Sequence, residues 1–127
     1  MKSALIVFCG AGIGGVLRHG VNLAALRWPI AQFPWGTMAI NIVGSTVMGL
    51  VAGWFAFRAG AAPNPDLRLF LTTGILGGFT TFSAFSLDAM LLWERGAIGA
   101  AAFYVLGSVA ISLAALAGGL ALMRVAS

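Results

Sequence analysis

Gly74-Ile-Leu-Gly-Gly-Phe-Thr-Thr-Phe-Ser-Ala-Phe85 lies inside a long apolar run and contradicts it. Gly77, Gly78, Thr80, Thr81 and Ser83 are poor residues for a helix interior. Glycine there costs about 1 kcal/mol relative to alanine, and Thr and Ser offer the backbone competing hydrogen bonds. The apolar residues on both sides point to a membrane, where each unsatisfied backbone group costs several kcal/mol. An interruption is tolerated there when it is buried in protein, lines water or holds an ion. Two readings follow: a transmembrane helix broken for an ion-related task, or a glycine-rich packing kink. Phe82 and Phe85 come next, three apart, and share a face if a helix resumes.

Composition sets the environment of this stretch. Of 127 residues, 61% are hydrophobic and 8% charged, with a mean hydropathy of +1.02. A soluble domain carries roughly 25% charged residues, so this chain is an integral membrane protein, and its length suits one domain. The formal charge of +4 arises from seven Lys/Arg against three acids. They are scattered as loop charges flanking helices, which argues against a nucleic-acid partner. The single cysteine, Cys9, excludes an intrachain disulfide. One His, one Cys and three acids supply no catalytic triad or metal centre, so the chain is not expected to be an enzyme.

Working outward, the apolar runs predict four spans, at about 4–26, 35–57, 68–93 and 97–123, each long enough for the ~20 residues a bilayer requires. The first run imitates a signal peptide but continues past a signal core. It contains Gly10 and Gly14, a GxxxG pair that admits another backbone. Gly10-Ala-Gly-Ile-Gly-Gly15 also matches a dinucleotide fingerprint, but the acid expected ~20 residues on is missing; the first acid is Asp66. Arg18 lies late in this span, and a mid-membrane charge costs about 2.5–3.5 kcal/mol. Arg18 therefore sits either at the interface or in a polar vestibule. The loop from Arg27 to Pro34 offers Trp28 as an interfacial anchor.

In the second span, Thr37, Asn41 and Ser45 fall at i, i+4 and i+8 and make a polar stripe. The Asn41 amide serves either as helix–helix glue or as part of a water-lined path. Gly49 and Gly53 form another GxxxG. Residues 58–67 are the most polar loop, with Pro63, Asn64 and Pro65. Asp88 follows Phe85 by three residues, and Glu94-Arg-Gly96 reads as a tight turn. Tyr104, Ser108 and Ser112 repeat every four residues as a second hydroxyl stripe in the fourth span.

Four spans place both termini on one side, together with Lys2, Arg58, Arg68 and Arg124. Arg27 and Arg95, with Arg18 if it reaches the interface, occupy the other. The positive-inside bias is small and permits both orientations. Four short helices do not easily surround a pore, and an antiparallel homodimer answers both points. The expectation is an all-α membrane protein with four transmembrane helices, the third broken mid-membrane, assembled as a dual-topology homodimer.

With these residues in place, the chain resembles the Fluc (CrcB-type) fluoride channels over essentially its whole length. The carriers are Gly15-Val-Leu-Arg18, Gly36-Thr-Met-Ala-Ile-Asn-Ile-Val-Gly44 and the Gly74–Phe85 stretch, the last being highly specific. The resemblance implies a homodimer with two antiparallel pores and a structural sodium ion on its axis. It implies passive loss of cytoplasmic fluoride through the inner membrane, which lowers fluoride toxicity. Carried over, Gly77 and Thr80 would offer backbone carbonyls to sodium. Asn41, Phe82 and Phe85 would line the fluoride path, with Thr37, Tyr104, Ser108 and Ser112 beside it and Arg18 in a vestibule. Three residues depart from the pattern: His19 after the arginine, Ala84 between the phenylalanines, and Asp88 in place of a glutamate.

The chemistry makes sense without the family. Fluoride is small and strongly hydrated, so a selective path must replace its water with amide and hydroxyl donors. An aromatic ring has a positive edge, and edge-on phenylalanines contact an anion without holding it too tightly to leave. Carbonyls freed by a helix break suit a hard cation. The competing reading is a small dual-topology, proton-coupled drug exporter. That class needs a membrane-embedded acid, typically in the first helix, and here only Asp88 is deep. A membrane scaffold without transport would leave both polar stripes without a task.

Overall fold

The computed structural model describes residues 1–27, 33–60 and 64–126. The interfacial role expected of Trp28, and Pro63 of the polar loop, lie outside them. The described residues are helical: α1 (Lys2–Ala25), α2 (Trp35–Phe57), α3 (Pro65–Leu69), a π-helical segment (Phe70–Leu76), α4 (Gly77–Phe79), α5 (Phe82–Glu94) and α6 (Ile98–Ala126). Four helices are long and apolar enough to cross a membrane: α1, α2, the succession Pro65–Glu94, and α6.

The third of these begins earlier than hydropathy suggests. Asn64 accepts hydrogen bonds from the Asp66 and Leu67 amides at 3.0 and 3.2 Å, and Pro65 occupies the first turn. A side-chain oxygen on orphan amides, followed by proline, is a strong helix start. Polarity hid it, because Asn64, Pro65 and Asp66 read as loop. Asp66 also meets Lys2 Nζ at 2.7 Å. The pair is largely solvent-exposed and contributes little to stability. At the other end, Gly96 turns the chain with φ +80°, a conformation that glycine adopts freely.

Glycine spacing decides which helices touch. α1 lies on the π-helical segment and α4, and α2 packs most extensively on α6. A Cβ on Gly10 would come within 2.8 Å of Gly74 Cα, and one on Gly14 would overlap the Ile75 carbonyl oxygen. On the other seam, a Cβ on Gly49 would overlap the Leu116 carbonyl oxygen, and one on Gly119 would reach 2.8 Å from the Leu50 amide. The glycines thus let backbones meet without side chains between them, the contact that drives association where lipid tails are as apolar as leucine.

The core is small. Met38, Phe85, Leu92, Ala101 and Tyr104 form its buried centre, with Phe33, Trp35 and Ile42 packed against it. Phe8, Leu106 and Val125 project outward, as lipid-facing side chains do.

Candidate functional site

Helical geometry stops at Phe79 and starts again at Phe82, with Thr80 (ψ 157°) and Thr81 (φ −152°, ψ 125°) extended between them. The backbone groups released here are taken up by side chains. The Thr81 N–H donates to Asn41 Oδ1 at 3.1 Å, and Asn41 Nδ2 donates to the Thr81 carbonyl at 3.1 Å. Thr81 Oγ1 accepts from the Ala84 amide at 3.2 Å and caps α5. Thr80 Oγ1 donates to the Leu76 carbonyl at 2.9 Å, beside the Thr80 N–H at 3.0 Å.

These bonds redirect two carbonyls. In a continuous helix, Gly77 C=O would accept from Thr81 N–H, and Thr80 C=O from Ala84 N–H. Both amides are given instead to side-chain oxygens, those of Asn41 and Thr81. Gly77 and Thr80 are thus deprived of their helical donors at the same interruption.

A groove of about 350 Å³ opens beside this segment. α2 supplies Asn41 and Ser45, α5 supplies Phe82 and Phe85, and α6 supplies Ser108 and Ser112. Most of the wall is apolar. The Ser108 and Ser112 hydroxyls are buried and make no hydrogen bond within the described residues. A buried hydroxyl without a partner costs roughly 1–3 kcal/mol, a cost that any hydrogen-bonding group from outside the described residues would reduce.

The two phenylalanines sit at different depths. Phe82 is 77% exposed and Phe85 9%, although their ring centroids are 5.7 Å apart. Three residues on a helix turn through about 300°, so one neighbour covers Phe85 and misses Phe82. That neighbour is Tyr104, at 5.1 Å between centroids. Tyr104 is fully buried, and its hydroxyl donates to Asp88 Oδ2 at 3.3 Å. Thr37 is also buried, and neither it nor Tyr104 lines the groove. Thr37 and Tyr104 therefore stand behind the groove wall rather than on it. Arg18 and Gly77 are not among the groove residues, whereas Thr80 is.

Two participants were not assigned to the site from the sequence. Phe33 meets Tyr104 edge to face, with centroids 5.6 Å apart at 88°, and extends the aromatic series beyond Phe85. No periodicity marks it, because it precedes α2. The other is Ser45, expected on the α2 stripe but given no role at the site.

Residues 5–120 match the family model described as CrcB-like protein, Camphor Resistance (CrcB). A protein of Methylobacterium nodulans named fluoride-specific ion channel FluC is 63% identical over 124 residues, 98% of either chain. A Rhodopseudomonas palustris protein of the same name is 58% identical over 120 residues, 94% of this chain and 95% of that one. A third of that name, from Agrobacterium fabrum, is 51% identical over 124 residues, 98% of either chain.

Proposed function

This chain belongs to the CrcB-like family, and from that premise we propose that it is a fluoride-specific ion channel, a multi-pass protein that in bacteria resides in the inner membrane. It is a channel rather than an enzyme. The observation that carries the reading on this chain is the pair of buried, unpartnered hydroxyls, Ser108 and Ser112, on the groove that Asn41 and Phe85 also line. A dehydrated fluoride needs donors that are not already spent, and these two are free to donate among the described residues. Phe85, packed on Tyr104, lines the same groove and brings an aromatic ring to it. Fluoride crosses passively and leaves the cytoplasm down its gradient.

The working unit is an antiparallel homodimer with the third span broken mid-membrane. Its support is the exposure of Thr73, Gly77, Phe82 and Ser83 along the third span, two of them polar. Polar groups on a lipid-facing surface are unfavourable, and a second copy would cover them. A structural sodium ion at the dimer centre fits the residues present. Gly77 and Thr80 have lost their helical donors to Asn41 and Thr81, and hard cations take carbonyl oxygen. The ion would lend positive charge beside an anion path.

Purified protein in liposomes loaded with fluoride, followed with a fluoride electrode, tests the function. Efflux without an imposed proton gradient is expected, with chloride retained. Flux that appears only with a proton gradient would return the exporter reading, and no flux would remove the channel.

A further inference from the structure

Asn41 and Gly44 stand three residues apart on α2, so both face the same neighbour. That neighbour is the extended pair Thr80 and Thr81. Asn41 holds Thr81 through its N–H and its carbonyl. Gly44 is buried against the residue before it. A Cβ built on Gly44 would overlap the Thr80 Cγ2 methyl and come within 3.3 Å of the Phe79 ring.

The Thr80 side chain has little freedom to turn away. Threonine is stiff at χ1, and its Oγ1 is anchored to the Leu76 carbonyl at 2.9 Å. Once that bond is made, the direction of the methyl is fixed, and it points at α2. The distance between α2 and residues 80–81 is then set by what α2 presents at position 44.

We propose that Gly44 is a positioning residue for the ion path: its missing side chain is a socket for the Thr80 methyl. With Thr81 clipped by Asn41 and Thr80 seated on Gly44, the peptide between them is held at both ends. The Thr80 carbonyl belongs to that peptide, so the socket sets its direction. Thr80, Ser108 and Ser112 line the same groove, so the same seating also sets where Thr80 stands in it. This rests on the channel reading above, in which the 80–81 segment borders the ion path.

The other close glycines of α2 differ in kind. Gly49 meets the Leu116 backbone on α6, away from the interruption. A methyl at Gly49 therefore overpacks the α2–α6 seam, whereas a methyl at Gly44 displaces Thr80. The distinction makes the proposal testable by rescue, because Thr80→Ser removes the obstructing methyl and keeps the hydroxyl that bonds Leu76.

The experiment compares fluoride efflux from liposomes for the parent, Gly44→Ala, Thr80→Ser, Gly49→Ala, and each alanine variant combined with Thr80→Ser. Each is first run on size exclusion beside the parent. Residues in direct contact couple strongly, so Gly44→Ala should slow efflux about tenfold or more, and the double variant should return to within about threefold of Thr80→Ser alone. Thr80→Ser should not improve Gly49→Ala. If Gly44→Ala does not assemble like the parent, the comparison is read on recovery of the parent-like species, which Thr80→Ser must restore. Parental efflux from Gly44→Ala, or a double variant no better than the single one, would overturn the socket. A conducting parent without rescue removes only this inference, whereas a parent that passes no fluoride removes the channel reading with it.

Discussion

Asn41 carries one bonding task and, in the proposed channel, a second one on the ion path. Its carboxamide closes the Thr81 backbone in both directions at 3.1 Å, and it borders the groove. The hydrogen bonds support the reading as glue, and the proposed path role is compatible with it. Asn41→Ala leaves a Thr81 donor and acceptor unmet, and each unsatisfied group costs about 1–3 kcal/mol. Its thermal midpoint should fall measurably below that of the parent. Asn41→Asp keeps an acceptor for the Thr81 N–H but loses the donor to the carbonyl, and it places negative charge beside an anion path. Fluoride efflux should stop even where the fold survives; an Asp variant conducting at the parent rate would remove Asn41 from the path.

The phenylalanines separate the same two roles. Phe85 is buried against Tyr104, so Phe85→Ala should destabilise by about 3–5 kcal/mol, as large-to-small core changes do. Phe82 is exposed within one chain, and Phe82→Ile should leave the chain folded. Efflux should nevertheless collapse, since isoleucine has no positive ring edge. Size exclusion with efflux on the same sample checks both; unchanged efflux from Phe82→Ile would return that ring to packing.

At the scale of elements, the third span is held from two sides by different means. α1 supports it through glycine, where backbone meets backbone at Gly10 with Gly74 and at Gly14 with Ile75 and Phe79. α2 supports it through the Asn41 hydrogen bonds. Gly12 and Gly15 lie on the same helix as Gly10 and Gly14 but have open space around them. Alanine at Gly12 or Gly15 should therefore be silent or slightly stabilising, because alanine is the better helix former by about 1 kcal/mol. Alanine at Gly14 meets backbone that cannot rotate away and should destabilise by about 1–3 kcal/mol. Thermal unfolding in detergent distinguishes them; equal effects at Gly12 and Gly14 would contradict the packing of α1 on this span.

At the scale of the molecule, the basic residues at the two ends of the spans nearly balance, and the proposed dimer requires both orientations. A C-terminal reporter assayed on both sides of the membrane should be found on both. Two or three lysines added at one end should trap one orientation and lower activity, and co-expression with a variant carrying the lysines at the other end should restore it. A reporter confined to one side of the membrane in the parent would exclude the antiparallel arrangement. Sodium is tested separately by density at the dimer axis, where water alone would count against the carbonyl site.

Hydropathy by itself determined the four spans, because lipid demands continuous apolar length and internally satisfied backbone. The sequence drew attention to the Gly74–Phe85 stretch, but poor helix propensity did not say which residues leave the helix. Gly77 and Gly78 are helical in α4 and only Thr80 and Thr81 are extended, while the GxxxG pairs marked faces that approach closely. These properties are local and can be read along one chain. It concealed the start of the third span, where the Asn64 cap is as polar as a loop. Tertiary structure alone decided that Asn41 closes Thr81, that Phe85 is covered while Phe82 is not, and that Thr37 and Tyr104 stand behind the groove. Each depends on which helix lies opposite. Asn41 and Thr81 are forty residues apart, and helical periodicity gives the face a residue shares but not the neighbour that meets it.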